Sequence, residues 1–310
     1  MAANVIGEYV EINGIQQYFL HFPAESDSVV LFLHGGPGNS ELIFAHTTRP
    51  ANPACNFVYY DQRGTGKTQQ KSKSEPEDVI KETLLDDLQE TIQYVKKKYS
   101  TEKIILVGHS WGSVLGTEYV KKHPQDVLCY VGMGQVVDML KGEHTAYKHL
   151  GELIKEKGDP KDIKAYEAFN GFPYDLTEET FLPMLMKFRK LEGRYDLTTN
   201  VSKTLKLAFS SPVFSWADIL ILTRFKNVNK GLVDSLLSYS TTDFLNYELP
   251  VFYICGRNDW QVPSIVAEEY FNKIHAPRKK LYWIANAGHL TDLDNPVDYN
   301  KVIEEIVKSF

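Results

Sequence analysis

Cysteine is scarce in this chain. Of 310 residues only Cys55, Cys129 and Cys255 are cysteines, and an odd number of widely separated thiols argues against a disulfide framework. Histidine, cysteine and carboxylates nowhere fall at metal-ligand spacing, so no metal and no cofactor is expected. No apolar run reaches the roughly 18 residues that a membrane-spanning helix needs. Residues Met1 to Val10 lack the basic start and apolar stretch of a secretory leader. Basic residues are in the minority as well. The net charge of -6 argues against binding nucleic acid by displacing counterions from phosphates. Repeats and low-complexity linkers are also missing. These absences leave an expected cytoplasmic protein that acts on a small molecule or peptide, without a nucleic-acid or membrane partner.

What is present is ordinary globular material, 43% hydrophobic and 24% charged, enough for a sizeable core. Glu8 to Ile12 and Ile15 to Phe22 are β-prone runs joined by Asn13-Gly14, a strong hairpin signal. Ser28 to Leu33, Asn56 to Tyr60, Ile104 to Val107, Val127 to Gly132, Val251 to Cys255 and Lys280 to Ile284 are short apolar runs. Such runs suit parallel strands covered on both faces. Helical patterns over Leu84 to Lys97, Val114 to Lys122, Ile265 to Ile274 and Val297 to Val307 alternate with them. The pattern predicts an α/β fold with a mostly parallel central sheet flanked by helices.

Its character changes from Asp138 to Asn246, where no buried strand is evident. Lys/Glu-rich amphipathic pieces take over, with Asp159-Pro160 and Asp175-x-x-Glu178 as helix starts. The expected organisation is a core of residues 1–137 and 247–310 with a helical lid, 138–246, inserted between two strands and packed on the core.

The chemistry centres on Gly108-His109-Ser110-Trp111-Gly112, a Gly-x-Ser-x-Gly run between a strand and a helix. A sharp strand-to-helix turn lifts the serine hydroxyl clear of the sheet and sets it beside a helix N-terminus. A serine hydroxyl needs a base, and an imidazole needs a carboxylate to hold its tautomer. In open α/β sheets functional groups gather where strands end. Strand ends supply Asp259 and His289, in the chain order this fold uses. Gly35-Gly36-Pro37-Gly38 follows a buried strand, so Gly36 N–H and Trp111 N–H are the expected oxyanion donors.

Competing residues have plainer readings. His109 is expected to point sideways into packing and His34 to brace the glycine loop. Asp292 and Asp294 lie in a polar stretch expected to be solvated. Asp138 is the rival acid, because some enzymes of this fold carry it after the preceding strand. Gly64-Thr65-Gly66-Lys67-Thr68 echoes a phosphate loop, but Asp61 stands where that motif needs glycine. Gly132-x-Gly134 lacks the third glycine of a dinucleotide fingerprint.

The words His34-Gly-Gly-Pro-Gly38, Asp61-Gln-Arg-Gly-x-Gly66, Gly108-x-Ser-Trp-Gly-Ser113, Gly256-Arg-x-Asp259 and Gly288-His289 together resemble α/β-hydrolases of the prolyl aminopeptidase type (proline iminopeptidases and tricorn-interacting aminopeptidases). The resemblance covers Ser28 to about Gly132 and Pro250 onward, and departs from the prolyl enzymes at His109, where glycine is usual. It implies a serine hydrolase that releases N-terminal residues, proline preferred, from short peptides. It also implies acidic lid side chains that hold the substrate's amino terminus. The lid offers Glu143, Glu152, Glu156, Glu167, Glu178, Glu179 and Glu192. Glu167 and Glu192, with the aromatic Phe169 and Trp216, are the substrate-binding candidates. Two alternatives stay open: a carboxylesterase or amidase of small molecules, and a receptor that keeps the triad without turnover.

Overall fold

The computed structural model describes residues 5–49, 54–216 and 229–310. The stretch 217–228 of the expected helical insertion lies outside the described residues, as does the start of the chain.

Eight strands form one sheet in the order β1-β2-β4-β3-β5-β6-β7-β8. The hairpin β1 (Ile6–Ile12) and β2 (Ile15–Phe22) turns through Asn13 and Gly14, both with positive φ, and pairs Ile12 with Ile15. Two consecutive positive φ values are what a two-residue turn needs to match strand twist. The strand β2 runs antiparallel to β4 (Asn56–Tyr60); from β4 onward β3 (Val29–Leu33), β5 (Ile104–His109), β6 (Val127–Met133), β7 (Val251–Gly256) and β8 (Lys279–Ile284) are all parallel.

Strand periodicity divides the core in two. Along β3, Val29, Leu31 and Leu33 face one apolar layer and Val30 and Phe32 the other. The first layer receives α3 (Lys81–Tyr99) through Leu84, Leu88, Ile92 and Val95, with α4 (Trp111–Lys122) and α10 (Ser264–Lys273). The second receives α1 (Ala45–Thr48) and α12 (Pro296–Val307), the latter through Tyr299, Ile303 and Ile306. Burial on both faces explains why these strands are unbroken apolar runs. A short α2 (Gly66–Lys71) follows β4. There Asp61 Oδ2 accepts the Lys67 N–H at 2.7 Å, so a carboxylate already occupies the place where a phosphate loop would hold its anion.

Between β6 and β7 the described residues hold helices and no strand: α5 (Met139–Lys157), α6 (Pro160–Glu167), α7 (Glu178–Glu192), α8 (Val201–Phe209) and α9 (Val233–Leu237). Asp159 caps α6 by accepting from Lys161 N at 2.8 Å, with Pro160 in the first turn. The α7 start differs from expectation. Thr177, not Asp175, is its N-cap, in a reciprocal box with Thr180, because the hydroxyl pair closes both orphan donors of that turn. This insertion has its own apolar cluster, including Leu150, Phe169, Phe172 and Phe188. It rests on the sheet layers through His149, whose ring stacks on Trp260 at 3.6 Å, and through Gln261, which accepts from the Thr198 and Thr199 hydroxyls. Among the described residues no helix is long and apolar enough to cross a membrane.

Candidate active site

Ser110 sits at the β5–α4 turn with φ 51° and ψ −117°, a backbone state that costs on the order of 1–3 kcal/mol for a residue with a Cβ. The turn is tight enough to demand its glycines. A Cβ on Gly108 would lie 2.6 Å from Gly112 O, and one on Gly112 would lie 2.1 Å from Leu33 O. Bracing is local: Ser110 N–H donates to Met133 O at 2.9 Å, and the Ser113 hydroxyl donates to Ser110 O at 2.6 Å.

The β7 and β8 ends bring the partners. His289 and Asp259 are 5% and 3% exposed, and His289 Nδ1 donates to Asp259 Oδ2 at 2.9 Å. The other Asp259 oxygen accepts Val262 N–H at 2.9 Å, so the carboxylate is held on both sides. With Nδ1 the donor, the His289 tautomer carries its lone pair on Nε2. That nitrogen is buried, makes no hydrogen bond among the described residues, and His289 lines the same cavity as Ser110. A basic nitrogen kept free beside a serine is poised to take its proton. Gly134, set aside as a nucleotide signal, has a different duty: a Cβ there would lie 2.9 Å from the His289 ring. Asp138 is not bonded to the histidine; its carboxylate caps α5, accepting from Lys141 N at 2.8 Å.

Gly36 and Trp111 line the cavity beside Ser110. Trp111 is the first residue of α4, so its N–H has no acceptor within the helix. His34 braces this region, as expected: its Nδ1 meets Gly35 O at 2.8 Å and its Nε2 accepts from Gln62 N–H at 3.1 Å.

The cavity measures about 590 Å³. Its floor is the serine turn and the glycine loop. Its other walls come from the insertion, notably Phe181, Leu185, Val201 and Leu205, and from core residues such as Phe44, Val262 and Leu290. Among the described lining residues the carboxylates and guanidinium are Glu41, Asp138, Glu143 and Arg189. Glu143, 4% exposed, binds Arg189 Nη2, while Arg189 Nη1 donates to Glu192 Oε2 at 2.6 Å. Glu143 and Arg189 line the cavity; Glu192 is fully buried behind them. Two carboxylates share one guanidinium, and each keeps an oxygen, Glu143 Oε2 and Glu192 Oε1, without a hydrogen-bond partner. Burial pushes both carboxyls up, Glu192 to about 7, against the pull of Arg189.

The other substrate-binding candidates are placed elsewhere. Glu167 is exposed at the end of α6 and Phe169 packs inside the insertion's own core against Phe172 and Phe188. Trp216 is 72% exposed and touches Phe209 and Phe214. None of the three lines the cavity. Arg189 was missed because no local pattern announces it. Its i,i+3 relation to Glu192 is visible, but the pairing with Glu143 spans 46 residues. Among the described residues no group of three or more His, Cys, Asp or Glu side chains could hold a metal ion.

Asp292 corrects the expectation of a solvated stretch: it is 6% exposed. Burial pushes its carboxyl up to about 7, partly offset by the nearby His109 charge. Its folded-state pKa lies above the unfolded one, so the folded chain holds the proton more tightly. Stability from this group therefore falls as pH rises from about 4 to about 7, and the full penalty remains above that. Asp292→Asn, which keeps the acceptor for Leu293 N–H, should raise Tm by roughly 2–4 °C at pH 8 and leave it unchanged at pH 4. Thermal scans at the two pH values check this; an equal shift at both would refute it.

With the geometry described, the chain can be compared with known proteins. The family described as the alpha/beta hydrolase fold matches residues 28–296. A probable aminopeptidase, YbaC of Bacillus subtilis, is 27% identical over 274 residues, 86% of this chain and 85% of its own. The proline iminopeptidase of Heyndrickxia coagulans is 23% identical over 97% of this chain and 98% of its own. The crystal structure of a proline iminopeptidase from Mycobacterium smegmatis superposes with a TM-score of 0.70 at 18% identity, covering 98% of both chains, a likeness of fold.

Proposed function

Because this chain belongs to the α/β-hydrolase family and is a hydrolase of the prolyl aminopeptidase type, we propose that it removes N-terminal residues, proline by preference, from short peptides through an acyl-enzyme on Ser110. Ser110 Oγ attacks the first peptide carbonyl while His289 Nε2 takes the hydroxyl proton. Asp259 holds the imidazole and stabilises its protonated form. The tetrahedral oxyanion lies against Gly36 N–H and Trp111 N–H. His289 then gives its proton to the departing amine. Water, deprotonated by the same nitrogen, releases the acyl group and restores the serine. Residues 138–246 act as the lid that encloses the substrate.

The observation that carries the N-terminal specificity is Glu143, a buried carboxylate that opens into the same cavity as Ser110 and keeps one oxygen unbonded. With Glu192 and Arg189 it makes a cluster of two carboxyl groups on one guanidinium, whose ionised form an incoming ammonium favours. A substrate ammonium balances it, and apolar walls suit a pyrrolidine ring.

A substrate without the amine leaves Glu143 Oε2 without a partner, with Arg189 the only cation for two buried carboxyl groups, and loses a desolvated charge contact worth about 3–5 kcal/mol. N-acetylation of a prolyl-arylamide should therefore lower kcat/KM by roughly two to four orders of magnitude. The free substrate should also be cleaved more slowly once pH is high enough to deprotonate its amine. If blocked and free substrates react at similar rates, the aminopeptidase reading gives way to a general esterase or amidase. A chain that reacts with a fluorophosphonate at Ser110 but turns over neither would be the receptor.

A further inference from the structure

Outside the triad, His109 is a histidine with both ring nitrogens engaged. It is 1% exposed, its Nε2 lies 3.0 Å from the main-chain carbonyl of His289, and its Nδ1 lies 2.7 Å from Glu41 Oε1. A carbonyl can only accept, so Nε2 carries a proton. A carboxylate can only accept as well, so Nδ1 carries the second. Burial opposes the resulting charge, but Glu41 more than offsets it and lifts the His109 pKa to about 9. This is not the sideways packing expected of a residue inside the serine turn.

The connectivity gives the bond its meaning. His109 is peptide-bonded to Ser110, and its side chain grips the backbone of His289; the two rings lie 4.8 Å apart. Asp259 fixes the orientation of the His289 ring, but it does not tie the histidine's main chain to the serine turn. The loop between β8 and α11 (Thr291–Asp294) has further anchors: Asn258 N–H to Ala287 O at 2.9 Å, Asn295 Nδ2 to Ala285 O at 3.0 Å, and Gly288 N–H to Asp294 Oδ2 at 2.9 Å. That carboxylate is shared with Lys203 of the insertion in a half-exposed ion pair. The His109 bond is the one made to the carbonyl of His289 itself, by a side chain 1% exposed.

We propose that His109, with Glu41 as its counterion, is a positioning residue: it holds the main chain of His289 and so sets the distance from the base to Ser110. The inference rests on the triad reading above. It uses a distance effect that is large for small displacements, since about 1 Å of misplacement can cost on the order of 10²-fold in rate.

The test compares two substitutions on an aminoacyl-arylamide, with Ser110→Ala as reference. His109→Phe keeps a ring of similar size but has no donor. It should lower kcat by about 30- to 100-fold with KM within roughly threefold, because Glu143, Arg189 and the apolar walls proposed to hold the substrate are untouched, although His109 and Glu41 also line the cavity. His109→Gln can place an amide N–H near the same carbonyl and should recover kcat to within roughly tenfold of the parent. Both are to be checked for native circular dichroism; should the Phe chain not fold, His109→Met fills the space without a donor. A donor-free variant with parental kcat, or a Gln variant no faster than it, overturns the inference. Ser110→Ala separates the two levels. If it remains active, the triad reading fails and takes this inference with it. If it is inactive while the donor-free variant works at the parental rate, only the positioning role fails.

Discussion

Ser110→Ala should leave a folded protein whose turnover is at least about 10³-fold below that of the parent. In the proposed mechanism this hydroxyl is the nucleophile that forms the acyl-enzyme, and alanine removes it. What remains is binding and oxyanion stabilisation acting on water, which is why the loss is finite. Stability should change little. Ser110 contributes its backbone to the turn, with N–H to Met133 O and carbonyl to Ser113, and alanine keeps both bonds. Alanine carries the same positive-φ strain as serine, so the turn itself costs no more than before. Steady-state rates with a melting curve check the prediction. More than a tenth of parental kcat in a folded variant would remove Ser110 from the mechanism.

Asp259→Asn should be costlier than any change at Asp138, with kcat down on the order of 10⁴-fold. The reason lies in donors and acceptors. Asp259 Oδ2 accepts from His289 Nδ1, which obliges Nε2 to be the basic nitrogen. An asparagine amide can present N–H there instead, and the histidine then flips its tautomer and offers Ser110 a proton where it should take one. Asp138 only caps α5. Its replacement by asparagine, itself a good cap, should cost a few tenths of a kcal/mol at most and leave kcat within about twofold. Parallel kinetics on both variants decide the matter, and a worse loss at Asp138 would mean that the acid is misassigned.

Much of this molecule is legible along the chain, because much of it is local. Asn13-Gly14 dictates a hairpin through two positive φ values. Burial of β3 on both faces follows from five consecutive apolar residues. The serine turn is written in Gly108 and Gly112, whose missing side chains admit Leu33 and Gly112 backbone atoms at distances no Cβ tolerates. Even Asp259 and His289, 149 and 179 residues beyond Ser110 in the sequence, are reachable by reading strand ends, since parallel strands deliver their carboxyl ends to one edge of the sheet.

The substrate wall resists that reading. Glu143, Arg189 and Glu192 belong to helices whose charged residues all look like solvated faces, and only packing shows which charges are turned inward. Glu167 and Glu192 are the same residue type on neighbouring helices, yet one is exposed and the other fully buried. Asp292 misleads for the same reason: its polar neighbours suggest water, while the fold buries it within electrostatic reach of His109 and Glu41.

From the sequence by itself came the fold, the order of the strands' chemical ends and the proposed serine–histidine–aspartate set, all carried by short-range geometry and chain order. Tertiary structure alone decided that His109 grips the His289 backbone and that Glu143 rather than Glu167 faces the cavity. Each of those depends on the rotation of a helix or the path of a loop in space. Those are settled by burial of apolar area over a whole face, and no single residue's neighbours in sequence record it.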